Sequence, residues 1–126
     1  MNNSSYEIEL QERDKRQKEW DAVVLAAVKD VEESLLKKHS GFHHTTFFGA
    51  MGIDPKHLAI WCFFKEDEDL KNAEADGFTT RVQKHMRDAL RDHGYPSFLT
   101  PSFFVSFATD EDVQRTCNGN YWNYLK

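Results

Sequence analysis

Histidines concentrate in one short part of the sequence. Of the 6 histidines in the chain, His39, His43, His44 and His57 fall within a single stretch. Neutral imidazole nitrogens bind zinc and other divalent transition metals, so a cluster of this kind is a candidate metal site. A metal site also requires its ligands to converge in space. The value of the cluster therefore depends on which histidines the fold brings together.

A predicted β-hairpin limits which histidines can meet. With its turn centred on Asp54 and Pro55, His44 faces the region of Lys65 and His57 lies at the turn end. At about 3.3 Å per residue, the six or so positions between His44 and His57 correspond to roughly 20 Å. One metal ion cannot contact both of these side chains, and His57 is left out of the candidate site.

The remaining histidines define a two-histidine, one-carboxylate hypothesis. Side chains alternate along a strand, so His43 and His44 are expected on opposite faces. His39 with one of this pair, joined by Glu66 or Asp67 from the neighbouring strand end, would complete the site. The metal hypothesis therefore names His39, His43, His44 and Glu66 as ligands. The competing interpretation is that these are solvent-facing histidines at the start of a polar strand.

A second candidate site is an anion-binding face on a predicted helix. Arg81, His85 and Arg91 flank an apolar stripe and make one side of that helix basic. An anion or carboxylate is the ligand that such a face would take. The simpler interpretation is a solvated surface whose charge is balanced by Asp88 and Asp92.

The aromatic residues near the C-terminus are a candidate partner-binding surface. Tyr121, Trp122 and Tyr124 fall within a short segment. Tyrosine and tryptophan are large, stiff and amphipathic, and they dominate the binding energy of many interfaces. The alternative is that this segment packs on its own domain. The two possibilities coexist if the segment also reaches a second copy of the chain.

No catalytic residues are predicted. The sequence lacks the glycine-rich phosphate-binding, zinc-peptidase and nucleophile-elbow motifs. Cys62 lies between Trp61 and Phe63 in a predicted strand, where a free cysteine behaves as a small buried apolar residue. The 2 cysteines do not form a CxxC pair. They are expected to be free thiols, which favours a cytoplasmic location.

Composition makes some classes of partner unfavourable. The formal net charge of −5 disfavours binding to nucleic acid and to anionic membrane surfaces. No segment approaches the ~20 apolar residues of a membrane-spanning helix. The N-terminal residues lack the apolar segment of a secretory leader, so none is expected.

The sequence pattern predicts one α+β domain over residues 10–126, preceded by a disordered or extended tail at residues 1–9. Apolar positions at i+3 and i+4 spacing predict a helix from about Leu10 to Lys38. Strands are predicted at Phe42 to Met51 and at His57 to Lys65, paired as an antiparallel hairpin. The later predicted elements are a loop and a helix start over Glu66 to Asp76, a helical stripe from Phe78 to Leu90, a strand at Ser102 to Ala108, a short helix capped by Thr109 and ended by Asn118-Gly119, and a final strand or extended tail over Asn120 to Lys126.

This order, α-β-β-α-β-α with an optional last strand, predicts a small antiparallel-to-mixed sheet of three or four strands packed with helices. A right-handed crossover would place the third strand parallel to the second. The first strand is expected in the centre. The second and third strands are apolar on both faces, so both faces should be covered. Helices on opposite faces or a second copy of the chain would provide that cover.

Two functional hypotheses lead. The first is a non-enzymatic protein-binding or regulatory module, which would act as a homodimer or pair with a basic partner. The second is a small metal-binding protein or metal-dependent enzyme that uses His39, His43 and His44. Small-ligand binding in an aromatic pocket beside Trp61 is a third alternative. No cofactor is expected apart from the metal of the second hypothesis.

Overall fold

The computed structural model describes residues 2–96 and 105–126, with side chains from Ser5 onward. These residues form an α+β fold in which helices pack on a mixed β-sheet. The main elements in chain order are α1 (Asn2–Ser34), β1 (Phe42–Phe48), β2 (Ala59–Phe64), α2 (Asp67–Ala75), α3 (Phe78–Asp92), β3 (Ser106–Thr109), α4 (Asp110–Cys117) and α5 (Tyr121–Tyr124). No helix of the described residues is long and apolar enough to cross a membrane.

The first helix is longer at its amino end than its apolar pattern indicates. Helix α1 begins at Asn2, where a disordered or extended tail over residues 1–9 was expected. Side chains 5–9 are exposed, so no buried stripe marks them in the sequence. Arg13 and Glu9 form an i,i+4 ion pair at 3.2 Å, a contact that supports helix without burial. At the other end the helix stops at Ser34 and a 3-10 turn follows at Leu36–Lys38.

One face of the sheet packs against α1 and α3. Ile60, Cys62 and Phe64 of β2 belong to the larger hydrophobic core. Each helix supplies residues at helical spacing, because three- and four-residue steps return to the same side of a helix. The buried residues that the two helices contribute are Val24, Ala27, Val28 and Val31 of α1 and Phe78, Val82, Met86 and Leu90 of α3.

The sheet has the strand order β1-β2-β3. Strands β1 and β2 are antiparallel and β2 and β3 are parallel, which confirms both pairings expected from the sequence. The expectation that the first strand is central was wrong, because β2 lies between the other two. Its apolar residues on both faces suit a position covered from both sides. Residues 102–104 of the predicted third strand lie outside the described residues.

The hairpin register differs from the predicted one. His44 pairs with Phe63 rather than with Lys65, and the register shifts between Phe42 and His44. This shift is a β-bulge, in which two residues of one strand oppose one residue of the other. Strand β1 ends at Phe48, earlier than predicted. Gly49 follows with φ +136°, a left-handed backbone conformation that favours glycine.

The second face of the sheet is covered by α4 and α5. Phe63 is fully buried there, with Ala108 and Val113, and Trp61 packs beside them. Helices therefore lie on opposite faces, one of the two predicted arrangements. The expected final strand or extended tail is instead the short helix α5. Its start is capped by Asn120, whose side chain accepts a hydrogen bond from the Asn123 amide.

The acidic segment after β2 forms a complete helix, α2, in addition to the predicted elements. Glu66 caps it, and the Asp69 carboxylate accepts a hydrogen bond from the Glu66 amide at 3.1 Å. This reciprocal arrangement is a capping box. The element order is consequently α-β-β-α-α-β-α-α.

The two thiols differ in environment, which predicts selective alkylation. Cys62 is fully buried, and burial raises the pKa of its thiol to about 12. Cys117 is partly exposed. Because the thiolate is the reactive form, iodoacetamide at about pH 8 is expected to modify Cys117 alone. Intact-mass spectrometry should show one adduct on the folded protein and two in denaturant. Rapid modification of Cys62 in the folded protein would contradict the burial.

Candidate metal centre

Three potential metal ligands converge at one end of the sheet. They are His43 and His44 of β1 and Asp110 at the start of α4. His43 Nδ1 lies 2.6 Å from Asp110 Oδ2, and His44 Nε2 lies 3.5 Å from Asp110 Oδ1. One ligand atom from each residue lies within 4.8 Å of the other two. The carboxylate is thus shared between the two imidazoles.

The β-bulge explains how adjacent histidines reach the same carboxylate. In a regular strand His43 and His44 would point to opposite faces, which is what the sequence predicted. The bulge interrupts that alternation at His43. Both rings consequently lie on the Asp110 side, with their centroids 4.6 Å apart. The expectation of opposite faces was wrong for this reason.

Sheet topology delivers Asp110 to the histidines. Phe63 of β2 pairs with His44 on one side and with Ala108 on the other. The amino end of β1 and the carboxyl end of β3 therefore lie at the same end of the sheet. Thr109 caps α4 by accepting a hydrogen bond from the Asp112 amide at 3.0 Å. Asp110 is the first residue of that helix, where a negative charge is favourable.

Aromatic side chains hold the site in place. The His44 ring stacks on Phe63, with centroids 4.7 Å apart and planes inclined by 5°. The Tyr121 hydroxyl donates a hydrogen bond to Asp110 Oδ1. Burial, followed by this bond to the carboxylate, raises the pKa of Tyr121 to about 12. The hydroxyl therefore stays protonated at neutral pH and keeps donating to Asp110.

The electrostatics favour a neutral His44. Burial lowers the pKa of His44, and the neighbouring His43 lowers it further. Asp110 acts in the opposite direction but does not reverse the shift. A neutral imidazole is the form that binds metal. At neutral pH the His44 ring is thus ready to act as a ligand.

The structure does not bring the other two predicted ligands to this site. His39 Nδ1 accepts a hydrogen bond from the Gly41 amide at 3.1 Å, and its ring packs 4.7 Å from that of Phe78. Glu66 caps α2. The carboxylate comes instead from Asp110, which the sequence indicated only as part of an acidic helix start. No local pattern marks it, because it meets the histidines only through the sheet.

The predicted anion-binding residues have local partners on α3. The Arg81 guanidinium lies 5.6 Å from the centre of the Phe78 ring. His85 Nδ1 lies 2.9 Å from the Arg81 carbonyl oxygen, and Arg91 pairs with Asp88 at 3.3 Å. All three side chains belong to exposed residues. These contacts favour a solvated helix surface, and the anion site remains a prediction.

The predicted partner-binding aromatics divide into two groups. Tyr121 and Tyr124 pack on their own sheet, with ring centroids 5.2 Å and 6.3 Å from that of Phe63. The Tyr124 hydroxyl also donates to Asp112 at 2.5 Å. Trp122, in contrast, is 74% exposed. Self-packing thus accounts for the two tyrosines and leaves the tryptophan available to a partner.

The spacing of the three ligands suits a divalent transition metal. Tetrahedral zinc ligands lie about 2.0–2.2 Å from the ion, which places them roughly 3.3–3.5 Å from each other. The separation of His44 Nε2 and Asp110 Oδ1 already has this value, at 3.5 Å. The 2.6 Å contact of His43 would need to open by less than about 1 Å. Three protein ligands leave a coordination position for water, as in catalytic zinc sites.

Comparison with known proteins adds no functional assignment. No family model, curated protein or solved structure matches the chain. Among the described residues, the group of His43, His44 and Asp110 is the best-defined candidate site.

Proposed function

We propose that this protein binds a divalent transition-metal ion through His43, His44 and Asp110. The observation that carries the proposal is the convergence of two imidazoles and one carboxylate within 4.8 Å. Nitrogen and oxygen ligands without thiolate suit zinc, nickel, manganese or ferrous iron. The open position would let the bound ion polarise water or a ligand oxygen, so a metal-dependent reaction is compatible with the site.

A bound metal would explain features of the site that a simple ion pair does not explain. Asp110 already accepts a hydrogen bond from Tyr121, which resembles the outer partners that orient metal-binding carboxylates. The His43 side chain is 53% exposed, and exposed ion pairs contribute little to stability. The bulge turns this exposed histidine towards a carboxylate that His44 also contacts. An ion would draw all three groups into one strong interaction.

Calorimetric titration of the purified, chelator-treated protein with Zn²⁺ tests the proposal. The expected stoichiometry is one ion per chain. A variant carrying both His43→Ala and His44→Ala is expected to lose binding, since only one of the three ligands remains. His57→Ala is the matched control, because His57 is exposed and lies in the turn between β1 and β2. The proposal is wrong if the unaltered protein takes up no ion, or if the double variant binds as tightly as the control.

A second proposed function is protein binding. It is supported by an apolar groove of about 310 Å³, lined by Phe48, Trp122 and Leu125 with Thr46 and Lys126. Phe48 is 43% exposed and Trp122 is 74% exposed. Exposed aromatic residues around a groove are typical of sites that contact other proteins.

We also propose a cytoplasmic location for the protein. The free state of both cysteines supports this proposal.

A further inference from the structure

Strand β1 has one open edge. It pairs with β2 on one side, and no other strand within residues 2–96 and 105–126 pairs with it. The free edge of a strand presents backbone donors and acceptors to any chain that approaches it. Edges of this kind commonly accept a further strand.

The open edge lacks the usual protection against pairing. The sequence of β1, FHHTTFF, contains no lysine, no carboxylate and no proline. These are the residues that most often prevent one sheet edge from joining another. The bulge at His43 disturbs the amino end of the strand only. The segment from His44 to Phe48 remains regular and free of charge.

We infer that a second copy of this chain pairs with the open edge of β1. The two strands would run antiparallel about a two-fold axis near Thr46. A two-fold interface requires a surface that complements itself. An antiparallel strand edge meets this requirement, because each donor and acceptor recurs in reverse order across the axis. The dimer would join two three-stranded sheets into one.

This inference rests on the protein-binding proposal and names its partner. Pairing about Thr46 would place each Phe48 side chain opposite His44 of the second copy, on the face that carries the apolar groove. Phe48, which is 43% exposed, would then be covered. His43 lies in the bulge, outside the paired segment, but His44 lies within it, so metal binding and dimerisation would share one residue.

The dimer should be weak and dependent on concentration. One strand pair with a pair of phenylalanines lies at the small end of specific interfaces. Each copy also carries a net charge of −5, which opposes association. Salt screens such repulsion, so added salt is expected to favour the dimer modestly.

Sedimentation velocity over roughly 5–500 μM tests the inference. The unaltered protein should shift from monomer to dimer as its concentration rises. Phe48→Lys replaces an apolar side chain that would pack beside His44 of the second copy with a charged one, and it should raise the dissociation constant by at least about tenfold. Ile53→Lys is the matched control, because Ile53 is 61% exposed but lies in the turn after β1. A monomer at every concentration, or equal weakening by both variants, would overturn the inference.

Hydrogen exchange separates edge pairing from other modes of association. Amides over residues 44–48 should exchange more slowly at high protein concentration, because pairing gives outward amides new acceptors. A Trp122→Ala variant distinguishes the two proposals. If it abolishes association while these amides stay unprotected, protein binding stands but the β1 edge is not its site. If concentration-dependent protection appears and Phe48→Lys removes it, the edge is the interface.

Discussion

An Asp110→Ala variant is expected to bind Zn²⁺ at least about 100-fold more weakly than the unaltered protein. Loss of an outer partner alone typically costs 10- to 100-fold in metal affinity, and Asp110 is a direct ligand in our proposal. Its two carboxylate oxygens face His43 and His44, at 2.6 Å and 3.5 Å. Without it, two adjacent imidazoles and water would hold the ion. Competition with a fluorescent chelator of known affinity measures the difference.

Asp110→Asn distinguishes loss of charge from loss of structure. The amide oxygen of asparagine still accepts the hydrogen bond from Tyr121, so the contact between α4 and α5 should persist. The negative charge and one ligand oxygen are lost, so metal affinity should fall nearly as far as in Asp110→Ala. Circular dichroism should report the same helix content as in the unaltered protein. Unchanged zinc affinity in a folded Asp110→Asn variant would remove Asp110 from the proposed site.

The parts of the fold that local patterns describe were predictable. Helices α1 and α3 carry apolar stripes at helical spacing, and β2 alternates between two apolar faces. Thr109 has the side chain and acidic neighbours typical of a helix start, and it caps α4 as expected. The parallel pairing of β3 followed from the handedness of crossover connections. These features depend on neighbours in sequence or on general rules of chain connection.

The candidate site depended on features that no local pattern contains. A bulge adds one residue to a strand without a distinctive composition, yet it reverses the expected orientation of His43. Asp110 lies far from the histidines in sequence, and its acidic surroundings are equally typical of an ordinary helix start. Sequence reasoning therefore named two of the three residues that converge, His43 and His44, but it paired them with Glu66 rather than with Asp110.

Strand order and the C-terminal helix also required the whole fold. The sequences of β1 and β2 do not indicate which of the two strands has a strand neighbour on each side. The two apolar faces of β2 are nevertheless consistent with a central position in the sheet. Helix α5 spans only Tyr121–Tyr124, too short to show a helical period. Its aromatic residues are typical of strands, which explains the mistaken prediction. The helix is stabilised by its contacts with Phe63 and by the Asn120 cap.

Phe63→Ala should have the largest effect on stability, lowering the free energy of unfolding by about 3–5 kcal/mol. Phe63 is fully buried at the centre of the second sheet face. Its ring contacts those of His44, Tyr121 and Tyr124, so truncation removes the surface on which α5 and His44 pack. Urea unfolding followed by circular dichroism measures the loss.

Trp122→Ala is the control for the removal of an aromatic side chain from the same region. Trp122 is 74% exposed, so its truncation should change the free energy of unfolding by no more than about 0.5 kcal/mol. A similar loss in both variants would mean that Phe63 is not the packing centre of this face. A large loss for Phe63→Ala alone would show that α5 is held by the sheet. The residues that complete the second core would then also be those that support His44 and orient Asp110.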